Sequence, residues 1–223
     1  MCKPKGGADP CMLHRRPGRP VQIAPERRVE MVLDAAQALL AEHPLADVTM
    51  TAIAARAGMS KRTLYGMFDS REALLEACIA RLTRSIFRPL EEDDRARPLE
   101  HRLKRLLTLN TGPETELYAL ELLRSLIAEA SSFSALARRT CEESFDTLAR
   151  NVTVELHEGL RRGEIVDLPA ERLSLAARIV IDMACVNPLP FLLNPQAPKP
   201  TREQKAARRD WAVEIFLNGL GRK

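Results

Sequence analysis

The sequence feature that most constrains the fold is the segment 49 to 71, TMTAIAARAGMSKRTLYGMFDSR, where helix signals stop and restart within a few residues. Thr49 is a typical N-cap, because its hydroxyl accepts a backbone N–H two or three residues later, and apolar residues then recur at helical spacing. Gly58 closes that helix, and Ser60 caps a second one, Lys61 to about Phe68. The segment therefore predicts a helix-turn-helix whose second helix enters a DNA major groove.

The second helix divides into residues that anchor it and residues that it presents. Leu64 and Phe68, four residues apart, hold it down. Lys and Arg suit phosphates or guanine edges, Thr and Tyr suit phosphates, and Met67 suits a thymine methyl group. Arg71 opposes the dipole of the next helix, so we predict a phosphate contact, although an indifferent surface position is the alternative. The predicted DNA contacts here are Thr49, Thr51, Ser60, Lys61, Arg62, Thr63, Tyr65, Met67 and Arg71.

The segment resembles the DNA-binding domain of the TetR family of bacterial transcriptional regulators. The matching stretches are the helix start at Thr49, IAARAG at 53 to 58, SKRTLYGMF at 60 to 68 and SREALLEA at 70 to 77. Arg62 stands where many members carry a small residue, which leaves open whether it contacts a base or a phosphate. The resemblance covers about the first third of the chain. It implies a homodimeric regulator, most often a repressor released by a small-molecule effector.

The charge distribution agrees with nucleic-acid binding. The formal net charge is +4, and residues 1 to 71 alone hold 11 Lys or Arg against 7 Asp or Glu, so the remaining residues are neutral overall. Phosphate neutralisation explains such a basic excess beside the helix-turn-helix. In the stretch HRRPGRP, residues 14 to 20, we predict a minor-groove arm that uses Arg15, Arg16 and Arg19. A disordered basic tail is the alternative.

Periodicity of three to four residues runs through almost every segment of the 223-residue chain and predicts an all-α fold. We expect a basic arm at 1 to 24, a three-helix DNA-binding domain at 25 to 70 with the helix-turn-helix at about 48 to 68, and a larger helical domain at 71 to 223. By resemblance, that larger domain binds a ligand and dimerises. The other predicted helices span about 25 to 42, 70 to 86, 99 to 110, 114 to 130, 133 to 162, 169 to 186 and 202 to 220.

The resemblance also implies that the last two long helices pair across a two-fold axis. Candidate interface residues are Leu173, Ala177, Val180, Ala184, Trp211 and Ile215, and core packing within one chain is the alternative for either stripe. Candidate ligand contacts are Arg124, Phe133, Phe145, His157 and Met183, where a plain core position is the alternative for the apolar ones. Five prolines at 186 to 200 exclude a continuous helix. We expect this segment to cover the pocket or the partner subunit, or to form a plain loop.

Competing classes have little support in the sequence. There is no G-x-S-x-G motif, Gly-rich phosphate loop or H-E-x-x-H motif, and no His or Cys spacing typical of metal ligands, so we expect no catalytic site, metal or cofactor. An architectural DNA-binding protein is the nearest alternative, and a helical enzyme or interaction module is the alternative class. Cys141 follows two arginines, which makes a redox role conceivable. No apolar run spans a membrane or marks a signal peptide, so we expect a cytoplasmic protein without a membrane partner.

Overall fold

The computed structural model describes residues 24–128, 134–166 and 168–220, and the regular structure within these ranges is entirely helical. The prediction of an all-α fold is therefore confirmed. The α-helices are α1 (Pro25–Glu42), α2 (Met50–Arg56), α3 (Lys61–Tyr65), α4 (Arg71–Ile86), α5 (Glu92–Arg95), α6 (Leu99–Leu106), α7 (Pro113–Ala128), α8 (Ser134–Arg161), α9 (Ala170–Ala184), α10 (Leu189–Leu193) and α11 (Arg202–Leu220). A 3-10 turn at Leu45–Asp47, called the 45–47 turn below, connects α1 to α2.

The first helices begin where the sequence places N-caps. The hydroxyl of Thr49 accepts from the backbone N–H of Ala52 at 3.2 Å. Ser60 Oγ accepts the third N–H of α3 at 3.1 Å, and Ser70 Oγ accepts the corresponding N–H of α4 at the same distance. Each hydroxyl satisfies one of the N–H groups that an α-helix leaves unpaired at its start. Gly58 has a φ of +66°, the left-handed conformation that the turn between α2 and α3 requires.

Three short elements lie where the sequence indicated connections. They are the 45–47 turn, α5 in the acidic run after α4, and α10 in the proline-rich segment. Helix α10 forms despite its prolines because Pro188 and Pro190 stand at its N-cap and in its first turn, where a missing N–H leaves no bond unmade. The second helix of the helix-turn-helix ends at Tyr65 rather than at Phe68, since Gly66 caps it.

The buried side chains form two cores. The first contains the apolar faces of α1 to α4 and also takes Tyr118, Leu122 and Leu126 from α7. The second is built mainly from α6, α8, α9 and α11. Helix α4 packs against α1 on one side and against α8 on another, so it joins the two cores. The domain boundaries at 24/25 and 70/71 stay predictions.

A buried ion-pair cluster fixes the second core. Arg102 of α6 has no solvent exposure and donates to Glu155 Oε2 and to Glu164 Oε2, both at 2.5 Å. Glu164 also accepts the backbone N–H of Leu99 at 2.7 Å and so caps the start of α6. The cluster ties α6 to α8 and to the turn that follows α8. Among the described residues, no helix has the length and apolar character needed to cross a membrane.

Candidate nucleic-acid interface

Helix α3 has one buried side, which anchors it to the first core, and one side that is exposed to solvent. Leu64 is fully buried, and Phe68 closes the same side just beyond the helix. Lys61 and Arg62 are exposed, and the Tyr65 side chain is 52% exposed although it is aromatic. Within the described part of the chain, neither Lys61 nor Arg62 has a carboxylate within ion-pair distance. Helix α3 therefore presents two cations at its start and a phenol at its end to solvent.

The neighbouring hydroxyl groups maintain the shape of this surface. Thr49 and Ser60, both predicted as DNA contacts, use their side chains as N-caps of α2 and α3. The Thr63 hydroxyl lies 2.9 Å from that of Ser60, within hydrogen-bond distance. Thr51 is exposed on the first turn of α2. Capping leaves a hydroxyl able to make a further bond to a phosphate, so these four residues stay predicted contacts.

Met67 occupies a different environment from the one that the sequence indicated. Its side chain is partly buried and packs against the first core. We predicted a contact to a thymine methyl group, but the residue follows Gly66, where α3 has already ended. The chain turns there and directs Met67 inward, so Met67 helps to anchor α3.

The structure also corrects the argument for Arg71. Its Nε donates to the carbonyl oxygen of Val48 at 2.8 Å, and its Nη2 donates to the carbonyl oxygen of Leu45. The predicted phosphate contact rested on a cation without a favourable local partner at the start of α4. The two carbonyls supply that partner, so the guanidinium joins α4 to the 45–47 turn. Its placement needs no phosphate.

Other arginines of this region also bind within the chain. Arg56 at the end of α2 forms a bidentate pair with Glu42 of α1, at 2.8 and 2.6 Å. The hydrogen bond from Arg56 lowers the pKa of Glu42. Arg81 of α4 reaches three polar groups of α1, at 2.7 to 3.0 Å, which belong to Glu30, Asp34 and Gln37. These bonds fix α1, α2 and α4 relative to one another beneath α3.

Some predicted residues lie outside what the structure describes. Arg15, Arg16 and Arg19 precede the described ranges, and Phe133 lies between two of them. Phe145 and Cys141 belong to α8, but their side chains are not described. The minor-groove arm and the redox role of Cys141 stay predictions.

The remaining predicted ligand contacts do not come together. Arg124 of α7 bonds to Glu121 and to two backbone carbonyls of α10. His157 is exposed and lines an open surface groove of about 380 Å³ between α5 and α8. Met183 is half-buried against the second core. These three residues therefore lie in three different environments, and their role as ligand contacts stays a prediction.

The predicted dimer residues divide between two helices. Leu173, Ala177, Val180 and Ala184 of α9 are buried within the chain's own second core, so a partner subunit cannot reach them. For these four, the alternative of a core position within one chain is the correct one. On α11, by contrast, Trp211 is 68% and Ile215 is 46% exposed. Both stay candidates for an interface.

Two exposed apolar residues of α9 were not predicted from the sequence. Leu175 is 58% and Ile179 is 45% exposed, and their spacing of four residues puts them on one face of the helix. Helices α9 and α11 pack against each other. Each of these two helices thus exposes one apolar pair. The spacing of four residues within each pair was the sequence signal that could have revealed these residues.

Comparison with known proteins identifies the family. The family model for bacterial regulatory proteins of the tetR family matches residues 32–78. The model for the AefR-like transcriptional repressor C-terminal domain matches residues 99–220, which is more than half of the chain. The chain therefore belongs to the TetR family of transcriptional regulators, and α2 and α3 lie within the matched residues 32–78.

Individual relatives agree with this assignment. An uncharacterised HTH-type transcriptional regulator of Mycobacterium tuberculosis is 43% identical over 65 residues, which are 29% of this chain and 32% of that protein. The chain thus matches about a third of the length of the curated relatives. A TetR transcriptional regulator from Agrobacterium tumefaciens has a similar structure at 27% identity, with a TM-score of 0.67 over 90% of this chain and 96% of that one.

A second solved structure has the same fold. The flavonoid-responsive regulator FrrA is 24% identical to this chain, with a TM-score of 0.68. The match covers 89% of this chain and 99% of FrrA. At this identity the likeness shows the shared fold alone.

Proposed function

We propose that the protein is a homodimeric, sequence-specific DNA-binding regulator, and that it acts as a repressor. The observation that carries the proposal is the outer surface of α3, where Lys61, Arg62 and Tyr65 are exposed beside the buried Leu64. A short helix with this surface enters a major groove at its N-terminal end, where Lys and Arg reach guanine edges or phosphates. The net charge of the chain, concentrated in residues 1 to 71, supports phosphate neutralisation.

We propose that dimerisation uses the outer faces of α9 and α11. Leu175, Ile179, Trp211 and Ile215 form two apolar pairs on adjacent helices, and we call them the α9–α11 face. Exposed aromatic and aliphatic side chains on packed helices are typical of the apolar centre of an interface. A two-fold axis through this face doubles the few base pairs that one α3 can read. The operator expected from this geometry is a near-palindrome.

We propose that a small-molecule effector releases the protein from DNA. FrrA, which shares the fold, is named as flavonoid-responsive. Its identity of 24% does not transfer that ligand to this chain. An effector shifts the population only by binding one conformation more tightly than the other. Helix α4 is the element suited to carry the change, because it packs both on α1 and on α8.

A footprint on the DNA upstream of the protein's own gene tests the proposal. We expect protection of a near-palindrome and an affinity that falls steeply as salt is raised, because phosphate contacts release counterions. Broad protection without a preferred sequence indicates an architectural protein. No protection, together with no affinity for any duplex at low salt, contradicts the proposed function.

A further inference from the structure

The guanidinium of Arg124 joins helix α10 to α7. Arg124 Nη2 donates to the carbonyl oxygen of Phe191 at 3.0 Å, and Nε donates to that of Leu192 at 3.3 Å. Both carbonyls lie in the last turn of α10, where helical carbonyls have no partner within the helix. The third nitrogen, Nη1, donates to Glu121 at 2.5 Å, which fixes the side chain on α7. A planar guanidinium suits three such acceptors at once.

The opposite side of α7 packs on the DNA-binding head. Leu122 and Leu126, each two residues from Arg124, are buried in the first core together with Leu45 and Val48. A separation of two residues places side chains on opposite sides of a helix, since each residue turns by about 100°. Helix α7 also contacts α1 and the 45–47 turn directly. It therefore lies between α10 and the segment that leads into α2.

That segment determines how the helix-turn-helix begins. The carbonyls of Leu45 and Val48 receive the guanidinium of Arg71, and Thr49, the next residue, caps α2. Packed cores transmit displacements because they hold few voids. A shift of α7 against the 45–47 turn therefore changes the position of α2 on the first core, and with it the position of α3.

At the far end of these contacts lies α10. Helix α10 lies in the connection between α9 and α11, the two helices whose outer pairs form the α9–α11 face. We propose that Arg124 is a positioning residue that couples α10 to the DNA-binding head through α7 and the 45–47 turn. The DNA part of this inference rests on the proposed function. The coupling itself concerns the conformation of the protein alone.

Amide hydrogen exchange of the full chain tests the coupling. Two groups of backbone N–H bonds report on the two ends of this path. The first group, in the 45–47 turn, has Asp47, Val48 and Thr49 as donors. The second group, in α10, has Phe191, Leu192 and Asn194 as donors. In Arg124→Ala we expect exchange to rise about tenfold in both groups, as local opening becomes easier. Arg178→Ala, which removes an exposed pair with Asp146, is the matched control and leaves both groups unchanged.

If the exchange rate rises only at residues 189 to 194, the proposal is overturned, because Arg124 then only anchors α10. Should Arg124→Ala fail to fold, Arg124→Lys keeps the charge without the planar fork. This variant is expected to give a smaller rise in exchange rate in both groups, and a rise limited to α10 again overturns the proposal.

The effect on DNA binding is a separate step. On a footprinted operator, Arg124→Ala is expected to bind about tenfold more weakly. If exchange at residues 47 to 49 changes but the affinity for the operator does not, the coupling stands and only its effect on DNA binding is overturned. If the wild type binds no DNA, the proposed function fails and exchange still decides the coupling.

Discussion

The guanidinium of Arg71 donates from Nε to the carbonyl oxygen of Val48 at 2.8 Å, across 23 residues of sequence. A second bond reaches Leu45. Together they hold the first turn of α4 against the segment that precedes α2, so the structure assigns to Arg71 a role inside the DNA-binding head. A structural role and a phosphate contact predict different effects when Arg71 is replaced.

Replacement of Arg71 by alanine should reduce stability more than it changes the salt dependence of DNA binding. Removal of two bonds from a charged donor to partly buried carbonyls is expected to lower the free energy of unfolding by about 1.5–3 kcal/mol. Arg84→Ala, an exposed position on the same helix, should stay within about 0.5 kcal/mol of the wild type. Denaturant unfolding measures both. A salt slope that falls by about 1 with unchanged stability would favour the phosphate contact instead.

Lys61 and Arg62 should contribute to sequence preference. Each alanine variant is expected to lose about 1–3 kcal/mol of binding to the protected sequence and less on random duplex DNA, if its side chain reaches a base edge. The exposed Arg150 of α8 provides the control, and Arg150→Ala should bind both DNAs like the wild type. Fluorescence anisotropy at fixed salt measures the two affinities. Equal losses on both DNAs would assign the side chain to a phosphate.

The α9–α11 face should control the oligomeric state. Trp211→Glu places a charge at the most exposed apolar residue of that face and is expected to weaken the dimer by about 2 kcal/mol or more. Val154→Glu makes the same change on α8, at a residue that is 62% exposed, and should leave association unchanged. Sedimentation equilibrium distinguishes the two. A wild-type protein that is monomeric at micromolar concentration contradicts the dimer.

The buried cluster around Arg102 should be the most sensitive charged site of the second core. Arg102→Met leaves Glu155 and Glu164 without their partner and is expected to cost about 3–5 kcal/mol of stability. The exposed pair of Arg178 and Asp146 should contribute less than about 1 kcal/mol. Thermal unfolding of Arg102→Met and Arg178→Ala compares them. Similar melting temperatures for both variants would refute a stabilising role for the cluster.

Cys78 should not react as a thiolate in the folded protein. Burial in the first core raises its pKa to about 12, so the thiol stays protonated well above neutral pH. Burial likewise raises the pKa of Cys185 to about 11. Alkylation at pH 8 with mass-spectrometric mapping should leave Cys78 unmodified until denaturant is added, and should modify the partly buried Cys185 more slowly than in denaturant. Labelling of native Cys78 at the rate seen in denaturant would contradict this burial.

The local features of the fold could be predicted from the sequence because they depend on near neighbours. The caps at Thr49, Ser60 and Ser70 and the left-handed Gly58 each act within a few residues. The partners of Arg71 could not be predicted, since backbone carbonyls leave no mark in a sequence. In α9 the repeat of four marks an apolar pair at Leu175 and Ile179 besides the stripe at Leu173, but it does not decide which of the two packs inside the chain.

Whether α3 of a dimer reads a specific DNA sequence can be measured by selection from a random duplex library at physiological salt. We expect enrichment of a near-palindrome whose half-sites lie about 10 base pairs or a multiple of that apart, since two recognition helices must reach major grooves on one side of the DNA. A Lys61→Ala and Arg62→Ala double variant should lose this enrichment. A library that shows no enriched sequence, or the same enrichment with the double variant, would rule out sequence reading by α3.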